Sequence, residues 1–167
     1  MKTKKKILSA VLSLILVATM LFATTGEAFA ATGNSKYTSS GSMSVVLNVG
    51  ATGDSSSVTI NVSNLPTNAK ITKLEVNTGS LTYQGGVLTN YLTISSSNGR
   101  TEDIAWNGAA NKTLTTSHFL ASNANGVYTL SFNATCLGGA IVGGNILDIG
   151  TKTYKKPYIR IYWDDTL

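Results

Sequence analysis

The chain holds one histidine, His118, and one cysteine, Cys136. A Ser-His-Asp hydrolase would need His118 as its base, with a serine nucleophile and an orienting acid beside it. Serines occur throughout the chain, so a serine near His118 carries little information. No G-x-S-x-G elbow is present. The residues favour a His118 that sits at a strand end, partly exposed, with no catalytic role. Cys136 has no second histidine or placed base to activate it, and free cysteine is commonly buried. The expectation is a small buried apolar residue; the alternative is an intermolecular disulfide or a reactive thiol. One cysteine excludes an internal disulfide.

Metal and acid–base chemistry need clusters. Zinc takes three or four N or S ligands, which one histidine and one cysteine cannot supply. Calcium is satisfied by oxygen alone. Its candidates are Asp54, Glu75, the pair Glu102 and Asp103, Asp148, and the pair Asp164 and Asp165. None lies in a D-x-D-x-D-G loop. Neighbours on a strand point to opposite faces, so neither pair chelates directly. The expectation is no cofactor, with a structural calcium as the remaining option. Glycoside hydrolysis needs two carboxyls about 5–10 Å apart across a cleft, and no spacing here singles out two. The run Gly138–Asn145 lacks the Gly-Lys-Ser/Thr of a phosphate loop, so it reads as a bulge or a close backbone approach.

The suggestive chemistry lies in "YIRIYWDD", Tyr158–Asp165. Alternation puts Ile159, Ile161 and Trp163 inward and Tyr158, Arg160 and Tyr162 on one outer face. Tyr154 lies just upstream and completes the set of candidate binding residues. Tyrosines flanking an arginine can stack on sugar rings and donate hydrogen bonds, or hold a protein partner. The competing use of such residues is cross-strand shielding of the sheet.

The elements that position these residues read as all-β. Short apolar–polar alternation recurs between turn clusters, without helical periodicity. "MSVVLNV" sets Met43, Val45, Leu47 and Val49 on one face. "VTINV" turns Val58, Ile60 and Val62 inward. In "KITKLEV", Ile71 is out of phase with Leu74 and Val76, which predicts either a bulge or a start before the strand proper. "YLTISSS" carries Leu92 and Ile94, Asn98-Gly99 predicts a two-residue hairpin turn, and "TEDIAWN" turns Ile104 and Trp106 inward. "VYTLSFNA" places Tyr128, Leu130, Phe132 and Ala134 on one face. "NTGSLTYQGGVLTN" (Asn77–Asn90) reads as a loop with a short extra strand, and "NILDIG" as a short strand. The total is a single jelly-roll-like β-sandwich of about eight or nine strands.

The N-terminus has the three parts of a secretory signal peptide over residues 1–30. Lys2, Lys4, Lys5 and Lys6 precede an apolar run from Ile7 to Ala23, and Ala28-Phe29-Ala30 offers small residues at a cleavage site. The run falls short of the roughly 20 apolar residues of a membrane span. Residues 31–41 read as a flexible leader and residues 42–167 as the sandwich domain. After Ala30 there remain nine basic and seven acidic residues, a net charge of about +2. No basic run is left to mark a nucleic-acid partner. The expected product is secreted, extracellular and free of the membrane after cleavage.

"KITKLEV", "YLTISSSNG" and "NANGVYTLSF", followed by a Gly-rich stretch and an aromatic strand, resemble the P domain of subtilisin-like proprotein convertases. Leu92, Ile94 and Gly99 match one of that family's strands. Gly126, Tyr128 and Leu130 match another, with tyrosine in place of tryptophan. The resemblance implies a jelly-roll sandwich acting as an accessory or binding module. Three functions follow from the sequence: a non-catalytic module that binds an extracellular glycan or protein, a self-assembling cell-surface protein, and a small secreted hydrolase built on His118.

Overall fold

A computed structural model describes residues 31–167, so the signal-peptide reading of residues 1–30 lies outside the described residues. Among the described residues, fourteen strands follow one another. They are β1 (Thr32–Thr38), β2 (Ser42–Asn48), β3 (Thr52–Asp54), β4 (Val58–Val62), β5 (Lys70–Asn77), β6 (Ser80–Gln84) and β7 (Gly86–Ser96). Then come β8 (Thr101–Ala105), β9 (Thr113–Thr116), β10 (Gly126–Gly138), β11 (Ile141–Val142), β12 (Asn145–Ile146), β13 (Ile149–Lys155) and β14 (Tyr158–Asp164). The fold is an all-β sandwich.

One layer is built on β10. Its inward residues Tyr128, Leu130, Phe132, Ala134 and Cys136 are all buried, and the residues between them face outward, which is the period of two that a strand imposes. β7 pairs along one edge of β10, β3 and β4 share the other, and β8 extends the sheet beyond β7. The opposing layer consists of the sheets β1-β14-β5-β9 and β2-β13-β6. Because β1, β14 and β5 run on into β2, β13 and β6 or receive them, these two sheets are the halves of one bent layer.

The core joins the layers. The Tyr154 ring of β13 meets Phe132 of β10 edge-on at 5.1 Å and Trp106 at 4.6 Å, and Phe119 meets Tyr128 at 6.3 Å. Ile71, Leu74, Val76, Ile159 and Ile161 fill the same cluster from β5 and β14.

Several expectations are corrected. The leader is not loose: its residues form β1, which pairs with β14 from Thr32↔Asp164 to Thr38↔Tyr158. The Ala31 N–H donates to Asp165 Oδ1 at 2.7 Å and the Asp165 N–H to the Ala31 carbonyl at 3.1 Å. Val49 lies beyond the end of β2 and is exposed. The Asn98-Gly99 turn is longer than two residues: Ser96 and Arg100 close the hairpin, and Gly99 takes φ 83°. This is a turn followed by a left-handed residue, a common three-residue loop. The stretch Asn77–Asn90 holds β6 and the first half of β7. The Gly-rich run becomes the β11–β12 hairpin, turning on Gly143 and Gly144. The expected short strand over residues 145–150 holds β12 and only the first two residues of β13; the rest of β13 has no counterpart in the sequence reading, because its inward residues are Gly150, Lys152 and Tyr154 rather than an apolar series. The bulge expected at Ile71 is present: Tyr162 pairs with Lys73 and Trp163 with Ile71, which leaves Thr72 unpaired.

Gly150 marks a close approach of the layers. A Cβ there would lie 2.6 Å from Val87 Cγ2 and 2.8 Å from Cys136 Sγ, both buried. Gly150→Ala is therefore expected to cost about 1–3 kcal/mol through overpacking. Urea unfolding checks this, and an unchanged midpoint would mean that the layers are not in tight contact at this point.

Candidate functional site on the outer face of the last strand

Strand β14 lies between β1 and β5, so its outward residues stand in rows with theirs. Asn34, Tyr162 and Lys73 form one row, Lys36, Arg160 and Glu75 the next, and Thr38, Tyr158 and Asn77 the third. The structure thus brings Tyr158, Arg160 and Tyr162 together on one face, each partly exposed, with Ile159 and Ile161 buried beneath. Lys36 Nζ sits 3.9 Å from the Tyr158 ring centroid and Lys73 Nζ 5.0 Å from that of Tyr162. Both are cation–π contacts, in which the ring's negative face holds the ammonium. Lys73 Nζ also pairs with Glu75 Oε1 at 2.7 Å, and the Tyr162 hydroxyl donates to Glu75 Oε2 at 3.3 Å.

At one end of this face a cavity of about 300 Å³ opens beside Tyr162. Thr32, Asn34, Thr72, Trp163 and Asp164 line the rest of it. The bulge in β5 supplies Thr72, a typical use of a bulge to aim one side chain. The Trp163 Nε1 donor is buried and has no hydrogen-bond partner. Buried donors are nearly always paired, so this one is an exception, and it lies close under the β1 backbone at Gly33. Aromatic rings, hydroxyls, an amide and a carboxylate around one concavity are the groups that hold a polyhydroxylated ring.

Tyr154 does not belong to this face. It is fully buried, its hydroxyl donates to the Gly108 carbonyl at 2.6 Å and lies 3.2 Å from Thr89 Oγ1, and burial pushes its phenol up to about 12. The reason is register: Tyr154 precedes the bend and alternates with Lys152 toward the core, whereas Tyr158 follows the bend. The sequence reading also missed Asn34 and Lys36, which lay in the supposed leader. The signal was present as the alternation of "NSKYT", with Ser35 and Tyr37 turned inward.

The other candidates disperse. His118 is exposed; its N–H donates to Thr116 Oγ1, its carbonyl accepts from Arg100, and its ring leans on Phe119 at 5.6 Å. Cys136 is fully buried and free. Asp54 accepts from Asn133, Asp103 from Thr93, Glu102 from Thr116, Asp164 from Thr166 and Asp165 from Ala31. Among the described residues no three of His, Cys, Asp and Glu converge on one point.

The Lys73 ammonium holds the Glu75 carboxyl below its ordinary value of 4.5, and the Tyr162 hydroxyl acts in the same direction. A carboxyl whose folded-state value is depressed contributes stability above its unfolded value and loses it as pH falls through the folded value. The melting temperature should therefore drop below pH 4.5 more steeply in the natural chain than in Glu75→Gln. Thermal melts across that range check it, and parallel curves for the two proteins would count against the pairing.

No protein-family model matches the chain, and no curated protein matches it. Among solved structures, the crystal structure of FlhE is similar over 78% of this chain and 97% of its own, at 19% identity and a TM-score of 0.40. A structure of the Gt strain of infectious bursal disease virus is similar over 80% of this chain and 37% of its own, at 14% identity and a TM-score of 0.34. A mutant VP2 protein of infectious bursal disease virus covers 80% of this chain and 36% of its own, at 13% identity and a TM-score of 0.34. These likenesses assign no function to the chain.

Proposed function

We propose that the chain is a secreted, non-catalytic β-sandwich module that binds a glycan of the cell envelope through the outer face of β14. The observation that carries this reading is the cavity beside Tyr162, where two aromatic rings, Thr32, Asn34, Thr72 and Asp164 surround one concavity. Tyr162 and Asn34 would contact a sugar ring, while Arg160 and Lys36 lie along the path of a longer chain. Export rests on the signal-like N-terminus, and the resemblance to the P domain agrees with a binding role.

Affinity electrophoresis in gels cast with soluble cell-wall polysaccharide tests the proposal. The domain should be retarded, and Tyr158→Ala/Tyr162→Ala should migrate as in a blank gel, about tenfold weaker or worse. Circular dichroism establishes that the double variant is folded. Equal retardation of a folded double variant would remove β14 from the site.

One observation favours a second reading, a self-assembling surface protein. Ile141, Val142 and Ile146 on the β11–β12 hairpin are 73%, 48% and 78% exposed. Exposed apolar clusters of this kind mark contact sites. Light scattering that rises with protein concentration, and is abolished by Ile141→Ser/Ile146→Ser, would favour assembly over glycan binding.

A further inference from the structure

Lys152 is a buried cation without a counter-ion. It is 7% exposed and projects from β13 into the sandwich, where its Nζ donates to the Val87 carbonyl at 2.9 Å. An ammonium has three donors, and this one has a single hydrogen bond to protein. Among the described residues the only carboxylate–lysine pair is that of Lys73 and Glu75. Burying an uncompensated ammonium is costly, and burial lowers the Lys152 pKa accordingly.

The topology leaves an opening over this group. β6 pairs with β13 alone, and β8 covers β7 only from Tyr91 to Ser95, so among the described residues the Gly86–Asn90 half of β7 has one partner, β10. The two unpaired edges face each other where the chain crosses between layers at Gly85. Between them lies a groove of about 450 Å³ lined by Leu81, Tyr83, Val87, Leu88, Leu137 and Lys152. Apart from Lys152 these walls carry no charge. Tyr83, Leu88 and Leu137 are 66%, 50% and 67% exposed, so the apolar wall opens to solvent. The volume is within the range of about 300–1,000 Å³ typical of small-molecule sites.

We infer that this groove binds an apolar carboxylate of the fatty-acid class, with the carboxylate on Lys152 Nζ and the alkyl chain along Leu81, Tyr83, Leu88 and Leu137. Charge complementarity selects the occupant. A neutral apolar molecule would fill the walls but leave the ammonium unpaired, and a small hydrophilic anion would pair the ammonium but leave the walls wet. The site is separate from the β14 face, so the inference stands or falls independently of glycan binding.

Displacement of a fluorescent fatty acid from the full domain, with decanoate, decanol and acetate as competitors, tests it. Decanoate, kept below its micellar concentration, should compete at least tenfold better than decanol, and acetate should not compete. In Lys152→Met the preference for decanoate over decanol should vanish while decanol is unaffected. Leu137→Glu alters only an exposed side chain and should weaken decanoate at least tenfold, which provides a second variant if Lys152→Met does not fold. Equal competition by decanoate and decanol in the natural chain would overturn the inference, as would a preference that survives Lys152→Met or no binding of the probe.

Discussion

The fold depends on the antiparallel pairing of β10 with β7. These are the two longest strands, and their inward residues, Leu92 and Ile94 from one and Leu130, Phe132 and Ala134 from the other, are fully buried. Fixing that register fixes much else. It sets the edge on which β3 and β4 lie, and it presents Phe132 to Tyr154 across the sandwich. A slip of either strand by one residue would turn that strand's inward side chains to solvent. The bulge between Asn133 and Ala134 absorbs one extra residue, Asn90, without losing the alternation on either side.

Apolar alternation made most of this layer legible in the sequence, since β4, the second half of β7, β8 and β10 carry it. The bent layer was harder to read because its strands bury residues that do not look like core. In β13 the inward positions are a glycine, a lysine and a tyrosine, and in β1 they are Gly33, Ser35 and Tyr37. A small residue there reflects close backbone approach, as at Gly150, and no hydrophobicity pattern records that. Of the candidate site, the alternation of β14 gave Tyr158, Arg160 and Tyr162. Asn34, Lys36, Lys73 and Thr72 come from other strands, and only strand order and the β5 bulge bring them beside β14. Tyr154 was misplaced because the bend between β13 and β14 inverts which face a tyrosine four residues upstream presents.

The two faces of the bent layer hold their cations in contrasting ways. On the outer face Lys36 and Lys73 rest on tyrosine rings in water, where such contacts cost little and can be exchanged for a ligand. Inside, Lys152 is 5.8 Å from the Tyr154 ring centroid and hydrogen-bonded to one carbonyl, in surroundings where a lone charge is far less tolerable. The same residue type therefore serves as a replaceable cover on one side and as an unmet demand on the other.

The order of the strands has a temporal consequence. The centre of the first layer is β10, and β14 and β13 are the centres of the two halves of the bent layer. Only three pairings, β5 with β9, β7 with β8 and β11 with β12, do without one of those late strands. A chain emerging from its N-terminus therefore carries β1 to β6 as segments still waiting for partners; the first layer closes when β10 arrives, and the bent layer only when β13 and β14 follow. Late closure, with mostly long-range pairings, belongs to slow folding rather than to stepwise assembly along the chain.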